Sequence, residues 1–367
     1  MQLVDADRLA DPEAAAMDAA RAVVEAGGRA LIVASGEKAV RARVAGAETL
    51  VFQPDAGPLR RSRSAAALAE VLARHEPDIL HARSADMAAV AKPAAVALGA
   101  RCASSLHRAP SGGWLSGAGE KALLSADKVI AVSDFVAGQA GGAIVISPGA
   151  DMDVFAEEVV PPTRTIKTAA DWGLEEDTRP ILLAPAPLGD GDGVEVLVAA
   201  VAELAKSRDD FLCLVAGAAD PEAASAAEAA ILKAGLAGAM RLAPPAEDAP
   251  AGLKLAAVVV SAETAPPSDG RRLIEAQAMG RPVVAPDHGA MREVVGHGET
   301  GWLTPPGDAA ALAAALDEAL SIDDSQRAHI GMAGRARVRA RFTKAAGLDA
   351  TLRIYEELAG RLFRATV

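Results

Sequence analysis

Residues 271–308 are the most informative part of the chain; they read RRLIEAQAMGRPVVAPDHGAMREVVGHGETGWLTPPGD. Two short apolar segments, 282–285 and 301–304, are predicted strands, and the residues around them are amphipathic or rich in glycine and proline. Asp308 then caps an Ala- and Leu-rich segment that is predicted to be helical to about Leu320. Short apolar strands that alternate with helices are typical of a parallel sheet covered on both faces.

The same alternation extends outward over the chain and predicts an α/β fold in both halves. A helix is predicted at 13–25, with Pro12 in its first turn and Gly27 and Gly28 just beyond its end. A last amphipathic segment covers 346–362. The other predicted strands are 31–34, 49–52, 78–82, 128–132 and 143–147 in the first half, and 180–184, 211–216 and 257–261 in the second.

One stretch, 157–163 (EEVVPPT), interrupts the alternation. A pair of prolines blocks a helix and stiffens a linker, so we place a domain boundary there. The length of 367 residues also exceeds the roughly 250–300 residues that one core supports. The sequence therefore predicts domains at 1–157 and 158–345, followed by a C-terminal segment at 346–367.

Composition excludes several classes of protein. The chain is 51% hydrophobic, which excludes a disordered chain, and its net charge of −12 argues against a nucleic-acid partner. No apolar run approaches the roughly 18 residues of a membrane span, and residues 1–11 carry acids rather than the basic residues of a signal peptide, so we expect a cytoplasmic protein without a transmembrane segment. Cys102 and Cys213 lack nearby Cys or His partners and are predicted to be core residues.

The stretch 271–285, together with 287–293 and 298–308, resembles the donor-site signature of the family 4 retaining glycosyltransferases, which have the GT-B fold. The resemblance implies two Rossmann-like domains that face each other across a cleft, with the C-terminal helix packed back on the first domain. The nearest similarity is to the lipopolysaccharide and capsule glycosyltransferases of alphaproteobacteria. Further segments that look like the family are 78–84, 126–133, 147–151 with Phe155, 342–343 and 355–358.

The resemblance also implies a nucleotide-sugar site that uses no metal and no cofactor. Glu275 matches a family carboxylate that contacts the nucleotide ribose. The full set of implied nucleotide- or sugar-binding residues is Glu275, Gly270, Gly289, His288 and Gly149, around the interdomain cleft. For His288 and Gly289, a turn before a helix at Ala290 is an alternative interpretation.

Three residues of the first domain are further candidates. His107 matches the cleft histidine of the family and is the candidate catalytic residue, with an ordinary strand-end histidine as the alternative. His81 and Arg83 follow a predicted strand. They are candidates for the acceptor side of the site.

Several positions that carry chemistry in the family hold other residues here. An ungapped alignment puts Pro187 and Asp192 where the family has the Arg and the Lys that stabilise the departing pyrophosphate. Pro267 stands where a glutamate contacts the donor sugar. Pro148, before Gly149, replaces a polar or basic residue and offers neither charge nor an N–H group. Residues 158–367 also hold 21 basic against 30 acidic residues, an unfavourable balance for a diphosphate ligand.

These replacements lead to a pseudoenzyme hypothesis for a glycosyltransferase-family protein of cell-envelope glycan biosynthesis, including lipopolysaccharide. It would act as a binding or scaffolding subunit for a glycan, for a weakly bound nucleotide-diphosphate sugar or for an active glycosyltransferase. The alternative is an active retaining transferase that moves a hexose to a glycan or lipid acceptor. Its donor would be held by backbone amides and by Arg271, Arg272 or Arg108.

A cluster of basic residues lies in the first domain, at Arg60, Arg61 and Arg63. One interpretation is a peripheral contact with anionic lipid at the inner membrane. The other is a solvated basic loop.

Overall fold

The computed structural model describes residues 1–5, 10–35, 44–55, 58–110, 117–185, 191–217 and 221–362. The chain divides into two compact units. Unit 1 comprises Met1–Pro148 together with Ala345–Val367, and unit 2 comprises Gly149–Lys344. Each unit has its own parallel sheet and its own apolar cores.

The sheet of unit 1 has seven parallel strands within the described part of the chain. They are β1 (Gln2–Asp5), β2 (Ala30–Ser35), β3 (Ala47–Val51), β4 (Ile79–Ala82), β5 (Arg101–Leu106), β6 (Lys128–Ala131) and β7 (Ile144–Val145). Their order across the sheet is β3-β2-β1-β4-β5-β6-β7. The central strand β1 was missed by the sequence prediction, because four residues make too short an apolar run.

Helices cover both faces of this sheet and explain why its central strands are buried along their length. They are α1 (Ala10–Glu25), α2 (Pro58–Ala73), α3 (Ala85–Leu98), α4 (Ala118–Leu124) and α5 (Asp134–Ala140). The Ser84 side chain caps α3 by accepting from Met87 N–H, and Gly99 ends that helix with φ +68°. Arg60, Arg61 and Arg63 lie on α2, so the prediction of a basic loop was wrong: these residues start a helix that buries Leu68 and Leu72.

The sheet of unit 2 has six parallel strands among the described residues. They are β8 (Ile181–Ala184), β9 (Leu212–Ala216), β10 (Met240–Ala243), β11 (Ala256–Val260), β12 (Val283–Pro286) and β13 (Gly301–Thr304), in the order β10-β9-β8-β11-β12-β13. Neighbouring residues of β8, Leu182 and Leu183, belong to cores on opposite faces. The chain changes direction across the sheet between β8 and β11, which is where Rossmann-like folds bind ligands.

The helices of unit 2 follow its strands in the same alternation. They are α6 (Pro162–Asp171), α7 (Val194–Leu204), α8 (Pro221–Lys233), α9 (Ala249–Leu255), α10 (Arg271–Ala278), α11 (Met291–Val294), α12 (Ala309–Ser321) and α13 (Asp324–Arg341). Asp308 accepts from Ala311 N–H and caps α12. No helix in the described ranges is long and apolar enough to cross a membrane.

The stretch 157–163 folds as part of unit 2 instead of linking two domains. The units divide between Pro148 and Gly149, nine residues before the boundary expected at 157–158. A 3-10 helix covers Glu157–Val159, and Pro162 begins α6. Proline is tolerated in the first turn of a helix, so the proline pair starts α6 here.

Side chains fix this stretch to the rest of unit 2. Arg164 makes a bidentate ion pair with Asp248, with N–O distances of 2.6 and 2.7 Å. Glu157 pairs with Arg281 and Arg335 at 2.8 and 3.0 Å. These contacts are the physical reason why the stretch is not a free linker.

The last helix, α14 (Lys344–Ala359), packs in unit 1 through a buried polar network. The Tyr355 hydroxyl accepts from Gln2 Nε2 at 2.8 Å and lies 2.5 Å from His81 Nδ1. His81 Nε2 lies 2.8 Å from Ser105 Oγ, and Arg83 Nε donates to Gln2 Oε1 at 3.0 Å. Burial and the positive charge of Arg83 hold the pKa of His81 well below its usual value, so the ring stays neutral.

The sequence prediction that put His81 on the acceptor side was therefore wrong. His81 is fully buried and binds α14, and Arg83 is only 7% exposed. The local sequence does not show whether a histidine at the end of a strand faces solvent or packs against a distant helix. Here the partner residue, Tyr355, lies 274 residues further along the chain.

We expect Tyr355→Phe to lower the free energy of unfolding by about 1–3 kcal/mol, because Gln2 and His81 lose a shared partner while both stay buried. Arg353→Ala, at an exposed position of α14, is the matched control and should change stability by less than about 0.5 kcal/mol. Denaturant unfolding with hydrogen exchange on α14 measures both variants. Equal stability of Tyr355→Phe and the wild type would show that the network does not hold the helix.

Candidate functional site

Unit 2 contains a cavity of about 280 Å³ at the carboxyl ends of β8 and β9. Its walls are mainly apolar and include Trp172, Leu183, Ala216 and Leu253. The cavity thus lies beside the point where the strand order reverses, at the edge of the sheet where Rossmann-like folds bind nucleotides.

The apolar wall depends on the close fit of Trp172 against α9. A Cβ atom at Gly252 would lie 2.8 Å from the Trp172 ring, so only glycine fits there. The indole Nε1 donates to the Pro244 carbonyl at 3.0 Å. Because that polar group is already satisfied, the indole presents an apolar surface to the cavity.

Two charged residues of α10, Arg272 and Glu275, line the same cavity. The Glu275 side chain is 12% exposed, and its Oε1 accepts from Arg271 Nε at 2.9 Å. The helix begins at Gly270, where a Cβ atom would lie 2.6 Å from the Val294 side chain. The structure thus puts Glu275 at the cavity wall in a fixed orientation, and Gly270 has a packing role at the start of the same helix.

The loop after β12 contacts the loop after β11. His288 Nε2 lies 3.1 Å from the Glu263 carbonyl. Gly289 has φ +55°, and a Cβ atom there would lie 2.5 Å from the Pro267 carbonyl oxygen. That oxygen accepts from Ala290 N–H at 2.9 Å. His288 and Gly289 are not among the described residues that line the cavity. The helix that follows them, α11, has only four residues. The two residues therefore form a turn before a short helix, and their role in ligand binding stays a prediction.

Gly149 also has a packing role in the structure. Its φ is +63°, and a Cβ atom would lie 2.5 Å from the Thr343 backbone carbon. Its neighbour Ala150 exchanges backbone hydrogen bonds with Phe342 and Lys344. Ligand binding by Gly149 stays a prediction, as does the interpretation of Pro148 before it.

Of the positions that differ from the family, the structure describes Asp192 and Pro267. Asp192 Oδ1 accepts from Val194 N–H at 2.8 Å, so its carboxylate belongs to the turn that starts α7. Gly193 in that turn lies so close to the loop after β11 that a Cβ atom would meet the Ala262 oxygen at 1.8 Å. Pro267 is joined to Ala290 through its carbonyl group. Pro187 lies outside the described residues.

Acidic side chains surround this part of unit 2. Burial raises the pKa of Glu263, and the negative charges of Asp269 and Asp192 act in the same direction. Ser261 Oγ donates to Glu263 Oε2 at 2.7 Å, and the positive charge of Arg272 lowers the pKa in opposition. No group of three or more His, Cys, Asp or Glu in the described ranges has the arrangement of a metal site.

His107 lies in unit 1, directly after β5. Its Nε2 is buried and has no hydrogen-bond partner among the residues described. Burial and the charge of Arg83 lower its pKa to about 3, which leaves the imidazole neutral at physiological pH. A neutral ring can accept a proton or a hydrogen bond. The catalytic role stays a prediction.

Sequence reasoning missed the apolar half of the cavity. Trp172, Gly252 and Leu253 carry no motif, and they meet only when α9 and the turn after α6 pack together. Arg272 was named only as an alternative. Its spacing of three residues from Glu275 on a helix was the available signal, since such residues share a face.

We expect Gly289→Ala to destabilise unit 2 more than Gly307→Ala. Both glycines have positive φ, +55° and +76°, so both changes incur about 1–2 kcal/mol for the left-handed conformation. At Gly289 the new Cβ also meets Pro267 backbone, whereas at Gly307 no atom lies within 4 Å. Denaturant unfolding compares the two, and equal losses would contradict the close contact.

Two family models match the chain, one on each unit. Residues 13–153 match Glycosyltransferase Family 4, and residues 179–321 match Glycosyl transferases group 1. Among curated proteins, the amylovoran biosynthesis glycosyltransferase AmsK of Erwinia amylovora is 39% identical over 87 residues, which are 24% of this chain and 21% of AmsK. The phosphatidyl-myo-inositol mannosyltransferase of Mycobacterium leprae is 35% identical over 169 residues, 46% and 43% of the two chains. The matches thus span less than half the length of these relatives.

Solved structures resemble the whole chain. A glycosyltransferase from Rickettsia africae superposes with a TM-score of 0.87 at 25% identity, over 97% of both chains. The Anabaena protein Alr3699/HepE, crystallised with UDP-glucose, has a TM-score of 0.81 at 22% identity over 97% of this chain and 98% of its own. Each half of the chain thus matches a glycosyltransferase family model, and the chain has the GT-B fold of the solved structures that it resembles.

Proposed function

We infer that this chain is a pseudoenzyme of cell-envelope glycan synthesis: it binds nucleoside diphosphates and their sugars weakly and transfers no sugar. One observation carries the proposal. By the family resemblance, Asp192 and Pro267 occupy the places of the cation and the glutamate that transfer needs. Asp192 acts electrostatically on Glu263, as does Arg272, which lines the cavity with Glu275.

The binding part of the proposal rests on the cavity in unit 2. An apolar wall next to a fixed carboxylate suits a nucleoside, because the flat faces of the base stack on apolar groups and the ribose hydroxyls donate hydrogen bonds. Glu275 is oriented by Arg271 and opens on the cavity. The complex of the Anabaena protein with UDP-glucose supports the same class of ligand.

The lost-transfer part rests on charge. A departing diphosphate needs positive groups, and removal of one such stabiliser costs about 10²–10³ in rate. Here Asp192 supplies a carboxylate, and Glu263 and Asp269 add negative charge nearby. At about 4 Å and an effective dielectric constant near 20, each pair of unit charges is worth roughly 4 kcal/mol before desolvation. Replacing Lys by Asp therefore changes the sign of a large interaction.

The names of two curated relatives support a place in cell-envelope glycan synthesis. One is an amylovoran biosynthesis glycosyltransferase, and the other is a phosphatidyl-myo-inositol mannosyltransferase. A scaffolding role would involve a glycan or an active glycosyltransferase as partner, at the cytoplasmic side of the inner membrane. Arg60 and Arg63 are exposed on α2 and form no ion pair with a described residue, which supports a peripheral contact with anionic lipid.

A second candidate function is an active retaining glycosyltransferase with an atypical donor site. Arg272 favours it, because a guanidinium lines the cavity near Glu275. One cation in an acidic surrounding supports binding better than transfer, so the pseudoenzyme stays the conclusion.

We expect uridine, guanosine or adenosine diphosphate sugars to bind with dissociation constants weaker than micromolar, without sugar release. Calorimetric titration of the three classes, paired with hydrolysis assays, measures both properties. Micromolar binding together with release of sugar would contradict the proposal and favour the active transferase.

The converse experiment restores the family residues in a Pro187→Arg, Asp192→Lys, Pro267→Glu variant. Donor affinity should rise if only charges were lost. Asp192→Asn is the matched control, because its amide oxygen still accepts from Val194 N–H while the negative charge is removed. No gain in the triple variant would mean that the cavity does not receive the donor.

A further inference from the structure

We propose that Arg272 binds the diphosphate group of the nucleotide, so that one cation contacts the phosphates although the two family cations are missing. The proposal rests on the proposed nucleotide binding and adds the residue that recognises the phosphates. Arg272 lies within the stretch 271–285 that resembles the donor-site signature, whereas the family cations stand at positions 187 and 192. The proposal therefore assigns phosphate binding to a different residue.

Three arginines were candidates, and their surroundings separate them. Arg271 is engaged, since its Nε donates to Glu275 at 2.9 Å. Arg108 lies in unit 1, after His107. Arg272 is exposed, lines the cavity, and makes no hydrogen bond or ion pair with any residue in the described ranges. It is also the only basic residue among the described residues that line this cavity.

The spacing of Arg272 and Glu275 fits the order of groups in a nucleotide. Residues three apart on a helix share a face, with their Cβ atoms about 5–6 Å apart. In a nucleoside diphosphate the ribose hydroxyls and the phosphates are separated by the ribose ring. If the Glu275 carboxylate binds the ribose hydroxyls, the Arg272 guanidinium, three residues earlier, lies beside the phosphates. Its planar set of N–H donors suits phosphate oxygens.

A neighbouring acid, Glu263, opposes the binding of a diphosphate at Arg272. Glu263 attracts Arg272 electrostatically, so the ligand competes with a carboxylate for the guanidinium. Glu263 keeps its own hydrogen bond from Ser261 Oγ. Glu263→Gln retains an acceptor for this hydroxyl and removes the competing charge. Diphosphate affinity should then rise severalfold.

The test uses the full chain with UDP, GDP and ADP and with the corresponding nucleosides, measured by ligand-observed NMR, which detects millimolar binding. For the diphosphate that binds most tightly, Arg272→Ala should weaken affinity about tenfold or more, and Arg272→Lys should lie between it and the wild type. Affinity for the nucleoside should not change. Because Arg272 is exposed, the variants should melt at the wild-type temperature.

Arg339→Ala, which removes another exposed arginine of unit 2, is the charge-matched control and should leave binding unchanged. If Arg272→Ala keeps the full preference for diphosphate over nucleoside, this inference is wrong while nucleotide binding stands. If Arg272→Ala weakens nucleoside and diphosphate equally, Arg272 shapes the cavity and does not bind phosphate. If none of the three diphosphates binds the wild type, the proposed function fails and Arg272 has no such role.

Discussion

The loop between β11 and α10 is held by close backbone contacts on two sides, and the candidate site is built around it. On one side Gly193 leaves no room for a Cβ atom against Ala262, and on the other Gly289 lies against Pro267. Backbone hydrogen bonds from Thr264 to Gly191 and from Ala290 to Pro267 complete the contact. This fixed loop sets where α10 begins and hence where Arg272 and Glu275 stand.

A nucleotide offers such a site two different ends. The cavity meets the apolar end well, with Trp172 and Leu253 on its wall and Glu275 at its rim. In the proposed complex the charged end faces an acidic surrounding, since Asp192 and Asp269 act electrostatically on Glu263. Arg272 is the one cation among the described residues that line the cavity. Transfer needs interactions that are stronger in the transition state than in the bound ground state, so a protein can keep binding while it loses transfer.

Sequence alone predicted the alternation of strands and helices, because apolar runs and glycine or proline turns are local signals. Through a family motif it also suggested Glu275 as a nucleotide-binding residue; the structure puts Glu275 at the cavity, and its binding role stays a prediction. It missed the burial of His81 by α14 and the apolar wall around Trp172, since both depend on contacts between distant segments. It interpreted the prolines at 161 and 162 as a linker, although Pro162 starts a helix that Arg164 fixes to Asp248.

The central claim is that the nucleotide part of the site is retained while the sugar part is lost. The most direct measurement is the ratio of two dissociation constants, for a nucleoside diphosphate and for the same nucleotide carrying its sugar. With proline at position 267 the sugar gains no carboxylate contact, so the account predicts a ratio within about twofold, less than 0.5 kcal/mol. A sugar nucleotide that binds tenfold more tightly than its diphosphate, about 1.4 kcal/mol, would contradict it.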